Sequence, residues 1–216
     1  MSEQTMGLRE LKKRQTRENI SHQATRLFLE HGFDKVTIAD VAAAAQVAKM
    51  TVTNYFPRKE DLALDLHEVF VGLLAATVRE RAPGESALAS LRRAYVAAIA
   101  AHDPVVGFSG AAFARMITES PALVARLREF HEEREAALAA ALADETGAGP
   151  DDILPRVAAA QLGGVHRVLF DETLRRTIDG QDNDEIAAAL TRHVATAFDA
   201  IEPSLGGYAV RGRVTR

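Results

Sequence analysis

Residues 37–62 read TIADVAAAAQVAKMTVTNYFPRKEDL. Thr37 followed three residues later by Asp40 is a capping-box start for a helix. Val41 and Ala42 then face inward, and residues 43–45 are all Ala, small enough for close helix contact. Gln46-Val47-Ala48 reads as a turn. A second short helix runs over 49–56, and Pro57 closes it, because the residue before a proline is disfavoured in helical conformation. Val52 and Phe56 are four apart and share its inner face. Lys49, Met50, Thr51, Thr53, Asn54 and Tyr55 cover the remainder. Two short helices joined by a tight turn, the second rich in hydrogen-bonding side chains, have the layout of a helix-turn-helix.

The rest of the chain shows apolar residues at helical spacing and no convincing run of alternating β-branched residues, so the fold class is all-α. A first helix over 9–30 carries Ile20, Ala24, Leu27 and Phe28 on one face. Gly32 ends it as a left-handed cap, and Phe33 and Val36 plug the small core beneath. Beyond the helix-turn-helix, a fourth helix is expected over 58–81, a fifth over 86–101, a sixth over 105–118 and a seventh from Ser120-Pro121 to 143. Pro83-Gly84 and His102-Asp103-Pro104 punctuate them. Two more follow, over 152–176 and 183–201. The expected division is a helix-turn-helix domain with a basic N-terminal arm over 1–60, a larger helical domain over 61–202, and a flexible tail over 203–216.

The 216-residue chain has a net charge of −4, which alone argues against a nucleic-acid partner. Its distribution argues the other way. Residues 1–60 carry ten Lys+Arg against seven Asp+Glu, the remainder sixteen against twenty-three, and all five lysines lie in the first segment. A basic head on an acidic body suits a phosphate-facing module; a merely solvated charged face is the alternative. The absence of Cys removes disulfides and thiolate sites. No signal-like run opens the chain and no apolar run reaches a membrane span, so a cytoplasmic protein with no membrane association is expected. There is no His-Glu-x-x-His, P-loop or Gly-x-Ser-x-Gly, so neither an enzyme nor a metal or cofactor site is expected. A small helical enzyme or a helical protein-interaction module without a DNA role are the competing readings; the latter does not explain residues 37–62.

On the second helix of the motif, Thr both donates and accepts and offers a methyl to thymine, and Asn pairs two-fold with adenine. Lys49 and Lys59 flank it and suit phosphates. Arg9, Lys12, Lys13, Arg14 and Arg17 form a basic cluster, read either as an arm along the phosphates or as a solubilising end.

These residues resemble the DNA-binding domain of the tetracycline-repressor (TetR) family. The family pattern falls on Val41-Ala42, Ala45, Gln46-Val47-Ala48, Thr51, Tyr55-Phe56 and Lys59-Glu60-Asp61-Leu62. Gln46 stands where the family has Gly, and Ala48 where it has Ser. The resemblance covers about residues 12–65. It implies base and phosphate contacts from Lys49, Met50, Thr51, Thr53, Asn54, Tyr55 and Lys59, with Thr37 on a phosphate. It implies a ligand-responsive repressor that binds a palindromic double-stranded DNA operator as a homodimer. Dimerisation would run through the last two helices, with Leu162, Leu169, Ile186, Leu190, Val194 and Phe198 supplying apolar area; packing of these helices within one subunit is the alternative. The middle helices would surround an unknown small-molecule effector. Phe108, Phe113, Met116, Ile117, Phe130 and Phe170 are candidate lining residues, and His102, His131 and His166 candidate polar handles; ordinary core is the alternative for each.

Overall fold

Stripes of apolar residues three and four apart are buried only when each segment coils into an α-helix and lies against another. The computed structural model describes residues 7–212, which form ten α-helices and no strand. They are α1 (Leu8–His31), α2 (Ile38–Ala44), α3 (Lys49–Tyr55), α4 (Lys59–Ala63), α5 (His67–Glu80), α6 (Ala87–Ala100), α7 (Ala111–Glu119), α8 (Pro121–Thr146), α9 (Leu154–Ile178) and α10 (Asn183–Leu205). Short 3-10 turns lie at Phe33–Lys35 and Pro104–Val106. One compact unit holds the described residues up to Asp65 together with Met116–Arg126; the other holds Leu66–Arg115 and the described residues from Leu127 on.

The first unit packs Ile20, Ala24 and Phe28 of α1 with Phe33, Val36, Val41, Val52, Phe56 and Leu62, all buried. The Phe28 and Phe33 rings lie 5.0 Å apart. Gly32 has φ +88°, a conformation that an L side chain resists, and its N–H donates to Phe28 O. The expected continuous helix over 58–81 is interrupted between α4 and α5. Arg17 donates to the Asp65 carbonyl at 3.0 Å and Ser21 donates to the Asp65 carboxylate. Hydrogen bonds from α1 thus take the groups at the point where the helix breaks.

The second unit centres on Leu74, Leu88, Leu91, Tyr95, Ile99, Leu138, Leu162, Leu169, Leu190, Val194 and Phe198. α10 packs against both α6 and α9. The six residues expected to supply apolar area to a dimer, Leu162, Leu169, Ile186, Leu190, Val194 and Phe198, are all buried within the single chain. That expectation is corrected: they are the core of this unit.

Two other segments differ from the sequence reading. The helix expected over 105–118 is α7 and begins only at Ala111, because Gly107 and Gly110 both take positive φ (+104° and +78°) after the 3-10 turn. At the other end, α10 continues through Pro203 to Leu205, and the next residues are tied down. Gly84 donates to Arg211 O, Arg211 donates to Glu85 O, and Arg81 Nε donates to Ala209 O. The buried Arg81 also pairs with Glu145 at 2.6 Å. Residues 203–212 are therefore not a loose tail; residues 213–216, and the start of the basic arm at 1–6, lie outside the described residues.

A Cβ at Gly107 would sit 2.8 Å from Thr173 Cβ, whereas one at Gly110 would meet nothing within 4 Å. Gly107→Ala should cost about 3 kcal/mol from strain and collision together, and Gly110→Ala about 1 kcal/mol from backbone strain alone. Urea unfolding at fixed protein concentration measures the difference; equal costs would contradict the close approach.

Candidate nucleic-acid interface

α2 is held at its start by a complete capping box. Asp40 N–H donates to Thr37 Oγ1 (3.2 Å), while Thr37 N–H and its hydroxyl both donate to Asp40 Oδ2 (2.8 and 2.7 Å). These bonds hold the exposed Asp40 carboxyl below the usual carboxylate range. At the far end, Asn19 of α1 donates to Ala45 O at 3.1 Å, answering a carbonyl that the helix leaves open. Gln46 then takes φ +56°, the left-handed turn residue. Val47 N–H donates back to Ala42 O at 3.0 Å, and the chain enters α3 with Ala48 as an N-cap that has no side-chain hydrogen bond.

α3 is seated by Val52 and Phe56, which are fully buried. Lys49, Met50 and Asn54 are exposed, and Thr51, Thr53 and Tyr55 half-buried. The Thr53 hydroxyl donates to Met50 O at 3.1 Å, so its donor is spent on the helix. Lys49, Thr51, Asn54 and Tyr55 make no side-chain hydrogen bond within the described chain and remain available.

Three of the expected contacts have other employment. Lys59 Nζ donates to Phe33 O (2.8 Å) and Val36 O (3.0 Å) and lies 4.2 Å from the centre of the Phe33 ring. It is a brace across the link between α1 and α2, not a free cation for a phosphate. Arg17 is half-buried, bound to Asp65 O and stacked 4.8 Å over Phe56. Thr37 is exposed, but its hydroxyl proton goes to Asp40. The basic cluster Arg9, Lys12, Lys13 and Arg14 is exposed on the first turns of α1 rather than on an extended arm.

Comparison with known proteins agrees with this geometry. Residues 20–66 match the family model of bacterial regulatory proteins of the tetR family, and residues 85–205 match that of the MftR C-terminal domain. The chain is 30% identical over 205 residues to the HTH-type transcriptional regulator TcmR of Streptomyces glaucescens, spanning 92% of this chain and 88% of TcmR. It belongs to the TetR family of transcriptional regulators. It is also 25% identical over 190 residues to MftR of Mycobacterium tuberculosis, named for regulation of mycofactocin biosynthesis, covering 88% of this chain and 91% of that one. The SmeT–triclosan complex shares the fold, with a TM-score of 0.55 at 18% identity over 93% of this chain and 97% of SmeT. This TetR-family chain is thus a DNA-binding transcription regulator, and among its described residues no helix is long and apolar enough to cross a membrane.

In this TetR-family regulator the nine expected pocket residues do not line one cavity together. Phe130, His131 and Phe170 surround Phe70, with ring centroids 6.4, 5.1 and 5.7 Å from it. His102 sits beside Phe108 with φ +50° and faces Asp184 at 3.5 Å. Phe113 is half-buried. Met116 and Ile117 belong to the first unit, where Ile117 is buried. Only His166 lines the cavity of about 430 Å³ bounded by α5, α6, the Pro104–Val106 turn, α8 and α9. Tyr95 and Arg134 share that wall and escaped the sequence reading. Arg134 nevertheless left a signal: it occupies the apolar stripe Leu123, Leu127, Phe130, Arg134, Leu138 of α8.

Burial pushes His131 down to about 3, helped by the Arg134 charge, and pushes His166 well below its ordinary value. Both are neutral in the folded protein, while the unfolded chain takes up protons below about pH 6.5. Stability from these groups is therefore full above that pH and lost as pH falls toward the folded values. His131 should contribute a loss of about 2 kcal/mol between pH 7 and pH 5, and His166 acts in the same direction. Urea unfolding at the two pH values should show the loss, and His131→Gln should remove the His131 share of it; an unchanged pH dependence in that variant would contradict the buried neutral assignment.

Proposed function

We propose that this regulator is a ligand-responsive repressor that binds a palindromic operator as a homodimer in the cytoplasm. The observation that supports DNA reading most directly is the division of labour on α3. Its inner residues are fully buried, while Lys49, Thr51, Asn54 and Tyr55 lie on the exposed or half-exposed side with no side-chain hydrogen bond among the described residues. Placed in a major groove, Asn54 suits the two acceptor–donor positions of adenine, Thr51 the edge of a neighbouring base, and Lys49 and Tyr55 the flanking phosphates.

One short helix reads only a few base pairs, so a two-fold dimer supplies affinity by engaging two half-sites about 34–36 Å apart, or a multiple of this. The exposed face of α9 supports such a dimer. Val157 and Val168 are 42% and 57% exposed, Gly164 lies between them, and a Cβ there would meet nothing within 4 Å. Apolar side chains around a small residue suit close packing against a second copy with α10 alongside. An effector held in the larger unit would favour one dimer arrangement, alter the spacing of the two α3 helices and so lower DNA affinity.

Electrophoretic mobility shift on the DNA flanking the regulator's own gene tests this reading. Wild-type protein should bind specifically, with affinity falling steeply with salt. Asn54→Ala should weaken specific binding by about 1–3 kcal/mol and leave non-specific binding alone. Light scattering should show a dimer that Val168→Glu splits into folded monomers with reduced operator affinity. A monomeric wild type, or equal binding of all sequences, would contradict the proposal.

A further inference from the structure

The larger unit contains a buried cation without a counter-charge. Arg134 is 3% exposed on α8. Its Nη2 donates to Nδ1 of His131 at 2.9 Å, its guanidinium lies 4.2 Å over the Phe70 ring, and its Nε has no hydrogen-bond partner. The other well-buried arginines are paired: Arg81 with Glu145 at 2.6 Å and Arg126 with Asp61 at 2.8 Å. Arg134 makes no such pair. The carboxylate whose charge reaches it, Asp171, instead approaches Arg167 at 4.0 Å. Burying a charge without a partner is among the least favourable arrangements a fold can hold. An apolar side chain of similar size would pack there at lower cost.

Three further polar atoms around Arg134 are also buried and unpartnered: the Tyr95 hydroxyl, Nε2 of His131 and Nε2 of His166. The Thr173 hydroxyl beside Tyr95 spends its own proton on Leu169 O at 2.9 Å and so has none to give the Tyr95 oxygen. Tyr95 and His166 meet edge to face at 4.9 Å. Arg134, Tyr95 and His166 line the same cavity of about 430 Å³, whose other walls include Leu74, Leu91 and Val106. That volume falls in the range of small-molecule sites. The two remaining charged residues on the wall are satisfied. Arg93 is bidentate on Glu85 at 2.9 and 3.0 Å, and Asp103 accepts from Val105 N–H at 2.9 Å. Water would answer the orphaned donors but not the charge. Asp103 keeps its negative charge on the wall and both histidines are neutral near pH 7, so the place for a monoanion is the buried Arg134 cation itself, which has no paired carboxylate.

We propose that this cavity binds a small organic carboxylate, with the carboxylate on the Arg134 guanidinium, Tyr95 and His166 as hydrogen-bond partners, and an apolar body against Leu74, Leu91 and Val106. The planar guanidinium fork matches a carboxylate two-fold and supplies the charge-assisted bonds that neutral groups do not. The inference deepens the effector reading of this unit and rests on it only for the effect on DNA.

Calorimetric titration and thermal melting of the intact protein, without DNA, test it with matched acid and amide pairs: decanoate against decanamide, and 2-naphthoate against 2-naphthamide. At least one acid should raise the melting temperature and bind tenfold or more tightly than its amide. Arg134→Met and Arg134→Gln should abolish that preference, and Arg134→Lys should retain part of it, which separates charge recognition from a packing role. No binding by either acid, equal binding of acid and amide, or a preference that survives in both neutral variants would overturn the proposal. Operator binding measured separately distinguishes the failures. Specific DNA binding without carboxylate binding would leave the repressor reading standing and sink this one; carboxylate binding without DNA binding would do the reverse.

Discussion

The Lys59 ammonium holds together the carbonyls of Phe33 and Val36, which belong to the link that turns the chain from α1 into α2. A 3-10 turn leaves carbonyls unanswered at its end, and unanswered buried carbonyls cost free energy comparable to a lost hydrogen bond. Each charge-assisted bond contributes about 1.5–3 kcal/mol where no other donor is present. Everything after this link inherits its position. The capping box begins at the next residue, Thr37, α2 follows it, and α3 hangs from α2 through the four residues 45–48. The unit is small and its apolar core short, so polar stitches contribute a larger share of its order than in a large domain. Arg17 and Ser21 on Asp65, Asn19 on Ala45 O, and the ion pair of Asp61 with Arg126 are the others.

The larger unit uses its polar groups in the opposite way. Its helices hold by ordinary close packing of Leu, Ala, Val and Phe, and its C-terminal strap is tied by the fully satisfied Arg81. Against that background, four unpartnered polar atoms on neighbouring side chains, one of them on a cation, stand out. In the DNA-reading unit buried polar groups are paired and make structure; around Arg134 they are left open and make a recognition surface.

The helix-turn-helix was legible because its signals are local. The capping box depends on Thr37 and Asp40 three residues apart, the inner face of α3 on Val52 and Phe56 four apart, and the strain at Gln46 on a turn that favours Gly; each is present. What failed were assignments that depend on partners distant in sequence. Lys59 and Arg17 look like phosphate ligands in a basic segment, yet carbonyls 23–48 residues away claim them. The break between α4 and α5 is fixed from α1, and the apolar face of α9 and α10 turned inward because α6 covers it. Helical periodicity tells which residues share a face but not which neighbour that face meets. Tyr95 and Arg134 escape a sequence reading for the same reason: their place on one cavity wall depends on how α6 and α8 meet, and a buried arginine is defined by what it lacks in three dimensions.

The division between bracing and contacting residues on the DNA-reading unit is tested most directly by the salt dependence of operator affinity, measured beside unfolding stability for Lys49→Ala and Lys59→Met. Lys49→Ala should keep wild-type stability and reduce the slope of log affinity against log salt by about one unit, the signature of one lost phosphate contact. Lys59→Met should instead lower the unfolding free energy by about 2 kcal/mol and leave the slope of the folded protein near that of wild type. A Lys59→Met protein of undiminished stability with a reduced slope would contradict the assignment of Lys59 as the brace on which α2 and α3 depend.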